Sequence, residues 1–208
     1  SKFSKLDETG LMAAVDKSDS ANFTKEEIEH PTGWGLLSFV MDARTGLGRY
    51  RDYRISNYQL MEDMIQFCRT MNAEQILKIP DVQERVKRYF EQEEKFKRLL
   101  KKTSKRDGNV IVTDTRGVKE MSTGNRFFIY TLFPECNASI RIMDGKDGKN
   151  IAAAMGHSIF NRTSKTNIGA LCTKYGGGGH KGAGTVQLDT KNAESKLKEI
   201  IHHMKKDG

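Results

Sequence analysis

The spacing of apolar residues changes character at Gly108, and no other feature narrows the fold as far. Up to about Arg106, apolar positions recur every three or four residues; beyond Gly108, short continuous or alternating runs take over. The first pattern belongs to amphipathic helices and the second to strands. Both patterns, one after the other in 208 residues, predict a helical connector followed by an α/β domain of about 100 residues.

Within the helical part, Leu11, Met12 and Val15 form a short stripe, and Thr24 with Glu27 three residues on has the form of a capping box. Trp34, Leu36, Leu37, Phe39 and Val40 predict a dense apolar helix, broken at Gly46 and Gly48. Tyr58, Met61, Ile65 and Cys68 repeat at helical spacing. Pro80 suits a first helical turn, and the helix it opens is expected to run from Asp81 to about Lys102. Val82, Val86, Tyr89, Phe90, Phe96, Leu99 and Leu100 make its apolar face, and Glu84, Lys87, Arg88, Glu91, Glu94, Lys95 and Arg98 a solvated one. Lys101–Gly108 reads as a basic, polar linker.

The second part is expected to hold strands at Val110–Val112, Arg126–Phe133, Ala138–Ile142 and Val186–Leu188, with helices at Asn150–Phe160, Ile168–Tyr175 and Ala193–Met204. The formal charge is +8, and it is uneven. From Gly108 onward 15 Lys and Arg face 9 Asp and Glu; the rest of the chain has 20 against 18. Attraction for anions is therefore concentrated in the second half. Cys68, Cys136 and Cys172 are far apart and form no CxxC pair, so neither a zinc site nor a disulfide framework is indicated, and Cys68 and Cys172 read as buried thiols. A reducing cytoplasm suits them. No apolar run approaches the ~20 residues of a membrane helix, and Ser1–Lys5 carries no apolar core of a signal peptide.

The segment with the clearest chemistry is Tyr175-Gly176-Gly177-Gly178-Gly179-His180-Lys181-Gly182-Ala183-Gly184-Thr185. Consecutive glycines let backbone amides approach an anion unobstructed, and His180 and Lys181 add a donor and a charge. A P-loop is excluded because Lys181 is followed by Gly182 rather than Ser or Thr. A dinucleotide fingerprint is excluded because these glycines follow a helix and precede a strand, the reverse of its order.

This segment resembles the signature of DHH-associated domain 1, the C-terminal partner of the DHH phosphoesterases. It departs from that pattern at Gly184 and Thr185, where an Ala and a Gly are usual. Ser139-Ile140-Arg141 resembles the family's Ser-x-Arg strand, and Asp19-Ser20-Ala21-Asn22-Phe23-Thr24 resembles the last motif of the DHH catalytic domain. The resemblance covers essentially the whole chain: the tail of the catalytic domain over residues 1–30, the helical connector over 31–107, and a DHH-associated substrate-binding domain with a mixed sheet over 108–208. It implies that Arg141, Gly177, Gly178, Gly179, His180 and Lys181 bind a substrate phosphate, and that Asp19, with Asp16 as alternative, is one ligand of a Mn²⁺ pair. The implied substrates are short oligonucleotides, linear or cyclic dinucleotides, or polyphosphate.

The histidines are His30, His157, His180, His202 and His203, and none stands in Asp-His-His. A two-metal phosphodiesterase needs several clustered ligands, so no complete catalytic set is present. The expectation is that a preceding DHH half has been removed, leaving this chain inactive alone and without tight Mn²⁺ binding. His157 and Arg162, near Ser158 and Asn161, are candidates for lining the groove, with Phe160 and Tyr175 the aromatic residues within reach. His202 and His203 are expected at the surface. A non-catalytic nucleic-acid-binding module is the alternative, and a homodimer is compatible with the sequence.

Overall fold

The computed structural model describes residues 9–207; the Ser1–Lys5 segment lies outside the described residues. Two compact units are formed. One comprises the residues up to Lys97 together with Ser122–Phe128, the other Arg98–Met121 together with Ile129 onward.

The first unit is helical: α1 (Leu11–Ser20), α2 (Lys25–Glu29), α3 (Gly33–Met41), α4 (Asn57–Thr70), α5 (Ala73–Leu77) and most of α6 (Pro80–Thr103). Local chemistry explains several starts. At α2, Glu27 N–H donates to the Thr24 hydroxyl and Thr24 N–H to the Glu27 carboxylate, the expected capping box. Asn72 and Gln75 repeat the device at α5. Leu37, Leu60, Ile76 and Val82 form the buried centre.

Apolar residues on two helices of this unit lie open to water. Tyr58, Met61 and Ile65 mark α4 correctly as a helix but point outward, and the buried residue is Leu60. Phe90 is likewise exposed at 44%. Apolar spacing reports the helical period; which stripe is buried depends on the neighbouring elements.

Arg85, absent from the sequence reading, is fully buried on α6. Its guanidinium donates to Ile55 O at 2.6 Å, Asp81 O at 3.0 Å and Asn57 Oδ1 at 3.2 Å, and lies 3.8 Å from the Tyr53 ring centroid. Arg88 stacks on Tyr50 and forms a two-point pair with Asp52 at 2.6 Å. The hydrogen bond from Arg88 holds the Asp52 carboxyl down to about 2. Part of the expected solvated face of α6 is thus a stacked brace.

The second unit is a six-stranded sheet in the order β1-β2-β3-β4-β6-β5, with β1 (Ser104–Asp107), β2 (Val110–Asp114), β3 (Ala138–Asp144), β4 (Asn150–His157), β5 (Gly178–His180) and β6 (Ala183–Asp189). Only the β2–β3 pair is parallel, so the sheet is mixed as expected. Helices α7 (Ile129–Leu132), α8 (Ile168–Lys174) and α9 (Ala193–Lys206) complete the unit. Residues of α8 and α9, among them Ile168, Leu171, Leu197 and Ile200, join Val110, Ile140, Met155 and Val186 of the strands in one core.

Three elements differ from expectation here. The linker over Lys101–Gly108 is the last turn of α6 and then β1; its polar residues suit an edge strand, where lysines and arginines face water. Arg126–Phe133 is a 3-10 turn followed by α7 rather than a strand. Asn125 Oδ1 accepts from Phe127 N–H and Asn125 O from Phe128 N–H, curling the chain where the apolar run alone suggests extension. Asn150–Phe160 is strand β4 rather than a helix. Ile151 to Met155 favour a helix by propensity, but pairing with β3 on one side and β6 on the other overrides it.

Candidate functional site

Residues paired across neighbouring strands share one face of a sheet, so register alone places the candidate residues. Arg141 of β3 pairs with Thr113 of β2 and Ala154 of β4; Ala154 pairs with Thr185 of β6, and Thr185 with Gly178 of β5. The adjoining row runs Ser139, Gly156, Ala183, His180. Arg141 and His180 therefore stand on one face, opposite the core that holds Ile140 and Met155. Three strand spacings separate their strands, about 14 Å across the sheet, and the two residues stand in adjoining rows. The floor between them is made of Ala154, Gly156, Ala183 and Thr185, too small to obstruct a flat ligand lying across the strands.

Ser139 and Gly156 show how one end of that floor is shaped. Ser139 Oγ is 2.7 Å from the hydroxyl of buried Tyr130 on α7. A Cβ at residue 156 would lie 3.4 Å from the same hydroxyl. Tyr130 was missed in the sequence because its segment reads as a strand. The small floor has a sequence signal that was also passed over, the period-two set Ala152, Ala154 and Gly156.

The glycine run is an ordered hairpin. Gly176 takes φ 81 and ends α8: Gly176 N–H donates to Thr173 O and Gly177 N–H to Cys172 O, the two bonds of a Schellman cap. A Cβ on Gly177 would lie 2.1 Å from Thr185 O, and one on Gly179 2.3 Å from Ala183 O. A Cβ on Gly169 of α8 would lie 2.8 Å from Gly179 O, so helix and hairpin touch backbone to backbone. The run is thus glycine-rich chiefly because main chains meet there. Its amides do not form one open cradle, since that of Gly177 caps the helix. Strand β5 is nevertheless the sheet edge, and among the described residues no strand covers its outer side. Gly177→Ala is expected to lower stability by about 2 kcal/mol, a fall in Tm of roughly 4–8 °C. Thermal melting beside wild type checks this, and an unchanged Tm would contradict the close approach.

His180 is exposed, and its Nδ1 accepts from Gly182 N–H at 3.2 Å. The neutral ring then carries its proton on Nε2, a donor available to a ligand. Lys181 is exposed in the turn, and its carbonyl accepts from Ile168 N–H, tying the turn to the start of α8.

Other sequence candidates have structural work. His157 Nε2 is 2.8 Å from Thr166 O; Ser158 Oγ accepts from Phe160 and Asn161 N–H; Arg162 Nε donates to Ile159 O. The Tyr175 hydroxyl donates to Glu199. Cys136 and Cys172 are fully buried, and burial pushes both thiols up from their ordinary value; Cys68 is only half-buried. His202 is exposed, as expected, and His203 half-buried.

In the first unit, Asp16 and Asp19 are exposed on α1. Ser20 Oγ donates to Asp16 O, left-handed Ala21 ends the helix, and Phe23 packs on Phe39 with ring centroids 4.9 Å apart. Among the described residues no three His, Cys, Asp or Glu side chains gather to hold a metal ion. These residues do not fit a complete Mn²⁺ site. Nor, among the described residues, is any helix long and apolar enough to cross a membrane.

No protein-family model matches the chain, and no curated protein matches it. Among solved structures it is similar to a pGpG-specific phosphodiesterase, PggH, of Vibrio cholerae: 47% identity, a TM-score of 0.85, 95% of this chain covered and 66% of that one. It thus spans slightly less than two thirds of that protein. An exopolyphosphatase-related protein of Bacteroides fragilis matches at 14% identity and a TM-score of 0.45, covering 83% of this chain and 51% of that one, too distant to carry weight. Nearly half the residues are shared with a phosphodiesterase, and the Ser139–Arg141 strand and the Gly176–Thr185 hairpin lie in one sheet. On these grounds the chain belongs to the DHH phosphoesterase family, of which it carries the DHH-associated portion.

Proposed function

We propose that this chain is the substrate-binding part of a cytoplasmic, manganese-dependent phosphoesterase acting on a 5′-phosphorylated dinucleotide such as pGpG. The observation that carries the reading is the shared face of Arg141 and His180 across a floor of small residues. Similarity to the pGpG-specific enzyme narrows the substrate from the wider set of short oligonucleotides, cyclic dinucleotides and polyphosphate.

In this reading the Arg141 guanidinium grips two non-bridging phosphate oxygens. His180 Nε2–H and the outer edge of Gly178–His180 donate to the same ligand, and Lys181 adds positive potential. Binding at several points holds the phosphate in one orientation, which is most of what phosphoryl transfer asks of a binding domain. Asp19, or Asp16, contributes one metal ligand, and the rest of that site is assigned to a DHH domain outside these residues.

Titration of the chain with pGpG by calorimetry tests the reading. Saturable binding is expected, weakened about 10-fold by His180→Ala. In an oligonucleotide length series, affinity should level off after a few nucleotides. Affinity that keeps climbing with length, with a steep salt dependence, would instead favour a single-strand-binding module.

A further inference from the structure

We infer that the outer face of α4 is a self-association surface, on which a second copy of this chain packs its own α4 antiparallel about a twofold axis. Tyr58, Met61 and Ile65 are 72%, 56% and 63% exposed, the three most exposed large apolar side chains among the described residues. They are spaced three and four residues apart, the spacing of a helix–helix seam, and half-buried Cys68, packed against the unit's own core, borders them. The other side of α4 is already occupied, since Leu60 is buried in the core of its unit with Met64 and Phe67 against it.

Charge selects the occupant. Glu62 and Arg69 are exposed on the same flank of the seam, seven residues apart, and neither is in an ion pair among the described residues. In an antiparallel twofold pair each flank meets its own copy reversed. Glu62 then faces Arg69 of the second copy, and the symmetry makes the pair twice. The same register brings Ile65 against Ile65 at the axis. Two 14-residue helices, each about 21 Å long, would bury on the order of 1,000 Å² in total, the lower limit for a specific interface. Association is accordingly weak, with Kd on the order of 10 µM.

Analytical ultracentrifugation of the chain from about 1 to 300 µM tests this. The mass should rise from one chain towards two across that range. Ile65→Asp, at an exposed position, should keep the folded circular dichroism and weaken association at least roughly 30-fold. Glu62→Arg should weaken it about 10-fold, and Glu62→Arg combined with Arg69→Glu should restore it to within about 3-fold. The charge variants lie wholly on the surface, so they decide the matter even if Ile65→Asp perturbs folding. A single chain at every concentration, or a dimer indifferent to Ile65→Asp, would overturn the inference. So would a double charge exchange no better than the single.

Discussion

Arg141→Ala is expected to weaken binding of a 5′-phosphorylated dinucleotide about 100-fold, the largest functional effect of any single change in this chain. A charge-assisted hydrogen bond is worth roughly 1.5–3 kcal/mol net, and a guanidinium offers two in one plane. Arg141→Lys keeps the charge and loses the fork, so an intermediate loss of about 10-fold is expected. Titration calorimetry at fixed salt measures both; ionic strength must be held because part of the attraction is screened. Equal affinity in wild type and Arg141→Ala would move the phosphate off this face of the sheet. A loss in Arg141→Ala alone, with His180→Ala binding normally, would confine the phosphate to the β3 side and leave the hairpin a packing role only.

The largest effect on stability is expected at a residue with no part in binding. Arg85→Ala should cost about 3–5 kcal/mol, because it strands buried partners as well as removing a side chain. Ile55 O and Asp81 O would each lose a guanidinium donor, Tyr53 its stacked cation, and a cavity would open on α6. Asp81 would keep its pair with Arg54. Urea unfolding reads the result as a lower midpoint at unchanged slope. Arg88→Ala is the useful comparison. Arg88 is part-exposed and its partner Asp52 lies open to water, so a loss below about 1 kcal/mol is expected. Equal losses in the two variants would contradict the assignment of Arg85 as the buried anchor.

Both residues show what can be read from a sequence and what cannot. Arg141 stands out because Ser139-Ile140-Arg141 is a local pattern that resembles the Ser-x-Arg strand of a known family. Arg85 was invisible because an arginine among the charges of an amphipathic helix looks like every other surface cation. Only Ile55 and Asn57, about thirty residues earlier in the chain, make a buried site for it. The same division runs through α4, where apolar spacing marks the helix and only the tertiary structure decides that Leu60 rather than Ile65 is buried.

β4 carries the sharpest case. Ala152, Ala153 and Ala154 suit a helix by intrinsic propensity, yet the segment is a central strand. Its alternation serves two faces: Ile151, Ala153 and Met155 towards the core, and Ala152, Ala154 and Gly156 towards the open floor. The glycine hairpin is a milder one. Its sequence announced close backbone approach, but whether the approaching partner is an anion or another strand was decided by Thr185, Ala183 and Gly169.

By itself, then, the sequence determined the change from helices to a mixed sheet near Gly108, the capping box at Thr24, and three of the six strands, β2, β3 and β6. Each of these is set by residues within a few positions of one another. The tertiary structure alone decided the strand order that inserts β4 and β6 between Arg141 and His180. It also decided the small floor this creates, the burial of Arg85 and the exposure of Tyr58, Met61 and Ile65. All of these depend on pairing and burial among residues distant in the chain, where the free energy of excluding water from a shared core outweighs local preference.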